Sequence, residues 1–280
     1  MANTKAKKTV KKTTVKKPET AKTQTTTFNS IGATVKKMLT CNCSAIPGMP
    51  SVGALIAEFI GAFLLVASVF TIQGQPLFVA FAVVGIILII AGISKAHINP
   101  AVTIGSWITR KICSVCAIAY LAAQALGASA AFMTLSAYLD GTKTESLYSA
   151  APALFHAATI AAGKEWYILF AELMGVFIIS FGVARALKAG KMAYAVTYGF
   201  AVLVALLIAG SLTSMLLTKS NTSLIFLNPA AAIAADAVKW SLWPIMIYVV
   251  APIIGATAGF VLNDLLAVDT CACEDVKCNC

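Results

Sequence analysis

The sequence predicts an all-α membrane protein of six transmembrane helices and two re-entrant half-helices arranged as an inverted repeat. Three observations predict it: six apolar stretches of membrane length, a first-span motif repeated in the fourth span, and two Asn-Pro-Ala triplets that each open a run too short to cross a bilayer. Composition agrees. With 59% hydrophobic residues, 11% charged ones and a mean hydropathy of +0.86, a soluble 280-residue chain would have too little polar surface.

The apolar stretches run from about Val52 to Ile72, Leu77 to Ile93, Ile112 to Met133, Tyr167 to Ala184, Tyr194 to Leu216 and Leu242 to Leu266. An even number of spans puts both termini on one side. Arg110, Lys111, Arg185, Lys188 and Lys191 share that side with the N-terminal lysines, so the positive-inside rule makes both termini cytoplasmic. Three segments result: a Lys-rich tail over 1–50, a membrane body over 51–266 and a Cys-rich tail over 267–280. Ten lysines against one acid, Glu19, fall in the first 37 residues and supply nine of the formal +10 charge. This tail has too little apolar content to order itself. Its expected partners are anionic membrane lipids rather than nucleic acid.

The repeat is explicit. Ala57-Glu58-Phe59-Ile60-Gly61-Ala62-Phe63 returns as Ala171-Glu172-Leu173-Met174-Gly175-Val176-Phe177, and Asn99-Pro100-Ala101 returns as Asn228-Pro229-Ala230. Each half therefore holds three spans and one Asn-Pro-Ala loop. Because three is odd, the second half enters the bilayer from the opposite face, which places a site near the midplane.

Asparagine is a strong helix N-cap, and proline suits the first helical position because its missing N–H would be unpaired there. Asn-Pro thus starts a helix. The run after Asn99 is apolar for about nine residues, and the run after Asn228 is expected to be similar, so each covers only about half of a hydrocarbon core ~30 Å thick. Two such half-helices from opposite faces would meet N-terminus to N-terminus. Their dipoles and asparagine amides would then oppose cations while the amide NH₂ groups, free of the cap, hold a passing hydroxyl.

This pattern resembles the major intrinsic protein family, the aquaporins and aquaglyceroporins, over residues about 51 to 266: AEFIGAFLLV (57–66), SKAHINPAVTIG (94–105), FAELMGVFIISFG (170–182) and YVVAPIIGA (248–256). The resemblance implies a right-handed helix bundle with one pore per subunit, assembly as a homotetramer, and passage of small neutral permeants. Carboxylates within spans are costly and mark functional or bracing sites. The resemblance gives Glu58 and Glu172 the bracing role, accepting hydrogen bonds from the re-entrant loops; a proton relay is the other reading.

The chain departs from the family at its constriction. Ala231 stands where an arginine usually follows the second Asn-Pro-Ala, and Ala232 where glycerol-type members often carry aspartate. Ungapped counting from the two asparagines adds Val79 and Ile225, and Leu206 on the fifth span completes a wholly apolar set. Such a filter offers few replacements for the hydrogen bonds a solute gives up, at ~1 to 3 kcal/mol each, so less hydrated solutes such as glycerol, urea, ammonia or gases are expected, with passage of water left open. Lys95 replaces a usual glycine, and Asn221-Thr222-Ser223 is a glycosylation sequon in a lengthened outer loop.

His97 is read as a packed loop residue, and no cofactor or metal is expected in the body. Cys271, Cys273, Cys278 and Cys280 are read as reduced thiols, with palmitoylation or a soft-metal site as the other readings. The chain shows no paired acid and base, nucleophile with a base, or phosphate loop, so an enzyme is not expected. The rival to a channel is a non-conducting scaffold or adhesion protein on the same fold.

Overall fold

The computed structural model describes residues 50–141, 155–217 and 222–267. The Lys-rich tail, apart from Pro50, and the four C-terminal cysteines lie outside the described residues, as does Asn221 of the sequon. In chain order the helices are α1 (Val52–Thr71), α2 (Pro76–Ile90), α3 (Pro100–Ile108), α4 (Ser114–Gly141), α5 (Glu165–Ala186), α6 (Lys191–Ser214), α7 (Pro229–Ala234) and α8 (Leu242–Leu266). Of these, α1, α4, α5, α6 and α8 are long and apolar enough to cross a membrane.

Local sequence explains the ends. Ser51 caps α1, its Oγ accepting from Ala54 N at 3.1 Å, and Pro76, Pro100 and Pro229 each stand at a helix start. The π-helical turn at Met246–Val250 of α8 precedes Pro252, whose ring would clash with the carbonyl four residues back.

Several expected boundaries change, the largest being the third span, which runs as α4 to Gly141 rather than to Met133. The second span ends at Ile90 rather than Ile93, because Ile93 and Ser94 fold back onto the Ile90 carbonyl and Ser94 then reaches Glu58. The second half-helix has six residues against nine in the first, so it is ~9 Å long against ~13 Å. Both half-helices end alike. Arg110 (φ 61°) and Asp236 (φ 57°) adopt left-handed conformations, while Lys111 N–H reaches the Ser106 carbonyl and Ala237 N–H the Ala232 carbonyl, a Schellman ending. In the second copy that ending comes three residues earlier.

The packing repeats with the sequence. The first span of each half lies along the third, α1 on α4 and α5 on α8, and the middle spans α2 and α6 face each other. The half-helices exchange sides: α3 packs on α8 and α7 on α4, so neither half completes its own core. Glycines permit the two long seams. A Cβ at Gly127 would lie 2.2 Å from the Phe59 carbonyl oxygen, and one at Gly255 would lie 2.3 Å from that of Leu173. These carbonyls belong to the residues just after Glu58 and Glu172, so the seams also fix the two carboxylates.

Arg110, Lys111, Arg185, Lys188 and Lys191 gather at one end of the bundle, termed the basic end, where Lys111 pairs with Asp264 at 2.8 Å. At the opposite end His156–Ala157 and Thr222–Ser223 form a short parallel bridge. Large side chains such as Phe78, Phe81, Ile89, Leu126 and Phe170 point outward, as expected for contact with lipid or a neighbouring subunit.

Gly127→Ala and Gly255→Ala are each expected to lower the melting temperature in detergent, since overpacking costs ~1–3 kcal/mol. Gly85→Ala, whose Cβ would meet nothing within 4 Å, should not lower it. Thermal unfolding of the three variants checks this.

Candidate functional site

The site is built where α3 and α7 begin. Asn99 and Asn228 have extended backbones, and each caps its own helix: Asn99 Oδ1 accepts from Ala101 N at 2.9 Å, and Asn228 Oδ1 from Ala230 N at 3.0 Å. The amide nitrogens reach across the repeat. Asn99 Nδ2 donates to the Leu227 carbonyl at 2.8 Å, and Asn228 Nδ2 donates to the Ile98 carbonyl at 3.0 Å. The two half-helices thus meet tip to tip, their positive dipole ends together. One expectation is corrected here: the NH₂ groups are not wholly free, because one hydrogen of each holds the opposite loop and only the other remains for a solute.

The residues just before the asparagines carry the strain of this meeting. Ile98 (φ 46°) and Leu227 (φ 54°) are left-handed, which costs a non-glycine residue ~1–3 kcal/mol. Buried carboxylates hold them. Glu58 accepts from Ser94 Oγ (2.9 Å), His97 N (3.0 Å), Ile98 N (2.8 Å) and Gln124 Nε2 (2.8 Å). Glu172 accepts from Phe226 N, and from Leu227 N at 3.1 and 3.2 Å. Gly61 and Gly175, one turn along α1 and α5, leave room for the loops; a Cβ there would lie 2.5 Å from Ile98 Cγ2 and 2.4 Å from Leu227 Cδ2.

Gln124, Ser94 and Thr103 belong to the Glu58 network without having been singled out in the sequence. Thr103 Oγ1 lies 3.0 Å from Gln124 Nε2 and 3.2 Å from His97 Nδ1. A lone glutamine inside the apolar α4 was the available signal. His97 is buried, its ring edge-on to Tyr120, and its backbone carbonyl accepts from Tyr198 Oη at 2.7 Å. Among the described residues no cluster of His, Cys, Asp and Glu could hold a metal. Lys95, half-buried, lies in the loop before His97, and Thr222 and Ser223 of the sequon sit in the bridge at the opposite end.

A cavity of about 230 Å³ runs from the opposite end down to the two asparagines. Val79, Leu206, Ile225 and Ala231 all line it, together with Asn99 and Asn228. Pro100, Ala101, Pro229 and Ala230 are buried behind the asparagines and are not among its lining residues. Ala232 is also buried outside the lining.

Residues 70–262 match the sequence pattern of the family described as Major intrinsic protein. The chain belongs to the major intrinsic protein family. Aquaporin AqpM of Methanothermobacter marburgensis is 32% identical to this major intrinsic protein over 189 residues, covering 63% of this chain and 69% of that one. Aquaporin NIP1-1 of Zea mays is 28% identical over 235 residues, covering 78% and 76%. An aquaglyceroporin structure from Plasmodium falciparum covers 79% of this chain and 99% of its own at a TM-score of 0.59 and 20% identity, a likeness of fold. This major intrinsic protein is accordingly a multi-pass membrane channel for small solutes and not an enzyme.

Glu58→Gln is expected to destabilise the protein more than Glu172→Gln. The new amide nitrogen must face donors on either side of residue 58, whereas at 172 one oxygen can still take both loop N–H groups, and each buried unsatisfied donor costs ~1–3 kcal/mol. Thermal unfolding of the two variants in one detergent gives the ranking.

Proposed function

We propose that this major intrinsic protein is a passive channel for small uncharged solutes, with one pore in each subunit of a homotetramer and both termini cytoplasmic. The observation that carries the reading is the pair of asparagines lining one cavity at the meeting point of two half-helices. The dipole ends there disfavour cations, and each asparagine keeps one N–H to give a solute oxygen. Glu58 and Glu172 serve as braces for the loops. The concentration of arginine and lysine at the basic end supports its cytoplasmic placement.

The permeant class follows from the lining. Val79, Leu206, Ile225 and Ala231 form an apolar constriction above the asparagines, with no cation at position 231. A strongly hydrated solute loses partners there at ~1–3 kcal/mol per bond, while a solute with an alkyl face loses fewer. Glycerol, with its carbon face, is the permeant this lining suits most directly, and urea, ammonia and gases complete the proposed class of small uncharged solutes. The same apolar lining is what favours the rival scaffold reading, in which the pore stays dry and closed.

Proteoliposomes containing the full chain are expected to take up glycerol and urea faster than protein-free ones in stopped-flow light scattering. Rapid water flux with exclusion of both would contradict the permeant class, and no flux of any solute would leave the scaffold. Ala231→Arg should lower glycerol permeability about tenfold, a barrier rise of ~1.4 kcal/mol, while sparing water.

A further inference from the structure

Along α6, Tyr198, Val202, Leu206, Gly210 and Thr213 follow one another every three or four residues and all line the cavity, as does Leu217 just past the helix end. This stripe runs from the basic end outward, and Tyr198 is its innermost member. The next residue on the same face, Tyr194, lies one turn nearer the basic end and is not a lining residue. From α2 the lining takes Pro76, Val79 and Val83 but nothing deeper, so the floor of the cavity is at the level of Tyr198 and the asparagines.

Three features fix Tyr198 as that floor. Its ring is 2% exposed and packs edge-on against Tyr194, with centroids 6.0 Å apart. Both hydroxyls are tied to the first re-entrant loop: Tyr198 Oη donates to the His97 carbonyl at 2.7 Å, and Tyr194 Oη to the Lys95 carbonyl at 3.2 Å. Beside Tyr198, Gly199 lets α6 close onto α2, since a Cβ there would lie 2.7 Å from the Ala80 carbonyl oxygen and 2.3 Å from Val84 Cγ2. The helix pair is thus drawn together at the level where the cavity stops.

We propose that Tyr198, backed by Tyr194, is a second, inner constriction of the conduit, placed on the basic side of the asparagines. The inference rests on the channel reading above. The ring blocks the path, and the hydroxyl occupies the loop carbonyl of residue 97, an acceptor that a solute crossing toward the basic end would otherwise use. Passage requires the hydroxyl to leave that carbonyl and the ring to turn aside. Tyr198 then sets both rate and size limit, whereas the apolar residues above it set which solutes enter.

The test is stopped-flow urea and glycerol uptake by proteoliposomes of the full chain. Tyr198→Phe keeps the ring and removes the hydroxyl; it should raise both rates about fivefold, the factor that loss of a hydrogen bond of ~1 kcal/mol gives. Tyr198→Ala removes the ring as well and should raise glycerol more than urea, so that the glycerol-to-urea ratio climbs above that of wild type. A general loosening of the bundle would not shift that ratio, which makes it the deciding readout. If the alanine variant does not insert, the phenylalanine variant decides alone. A conducting wild type with unchanged rates in Tyr198→Phe and an unchanged ratio in Tyr198→Ala would overturn the inner constriction and leave the channel reading intact. If wild type and both variants stay at the protein-free rate, the channel reading falls and the constriction falls with it.

Discussion

Two side-chain amides join the halves of this protein. Asn99 and Asn228 each cap a half-helix with the oxygen and clasp the opposite loop with the nitrogen, so four hydrogen bonds set where two chain segments 129 positions apart meet. Much of the remaining structure supports that meeting. Loop residues Ile98 and Leu227 must turn left-handed to present their carbonyls to the amides, which is why a buried carboxylate stands behind each. The carboxylates need rigid seats, which is why Gly127 and Gly255 let α4 and α8 press against the backbone beside them. In a bilayer, non-helical backbone is tolerable only where protein or a wet cavity satisfies it, and here protein groups, the two carboxylates and the Tyr198 hydroxyl among them, satisfy the loops.

The repeat is only approximately symmetric, and the differences bear on function. Among the described residues Glu58 holds four donors, two of them the side chains of Ser94 and Gln124, while Glu172 holds the backbone of Phe226 and Leu227 alone. The first loop is further tied by Tyr194 and Tyr198, and its half-helix is the longer one. The second loop has its own tyrosine tie, from Tyr248 Oη to the Leu224 carbonyl at 3.1 Å, and on that side of the asparagines the cavity opens under apolar walls. Ala231, which lines the cavity, stands where the family usually has an arginine, and on the proposed channel reading selectivity then rests on shape and solute hydration.

Much of the architecture was legible in the sequence because it rests on strong local signals. Asn-Pro starts a helix wherever it lies, membrane-length apolar runs read directly, and Ala-Glu-x-x-Gly returns at a fixed place in each half. Val79 and Ile225 come from counting back from the asparagines, Ala231 from its place after the second motif and Leu206 from the fifth span, and all four line one cavity. What stayed hidden depends on pairings far apart in the chain. Nothing near Asn228 announces that its amide will be held by Ile98, and nothing near Tyr198 announces the His97 carbonyl. Helix ends failed for the same reason: α2 stops at Ile90 because Ser94 is drawn to Glu58, 36 residues earlier, although Ile93 is as apolar as its neighbours. The early end of α7 comes from a left-handed Asp236, a residue type that tolerates that conformation without requiring it.

The most direct test of the account is an experimental density map of the protein in a lipid nanodisc, sharp enough to place side chains and ordered water. The account predicts Asn99 Nδ2 within hydrogen-bond distance of the Leu227 carbonyl, Asn228 Nδ2 within the same distance of the Ile98 carbonyl, and solvent density passing both amides. Asparagines held apart in separate leaflets, or amides turned into the protein with no solvent beside them, would contradict it.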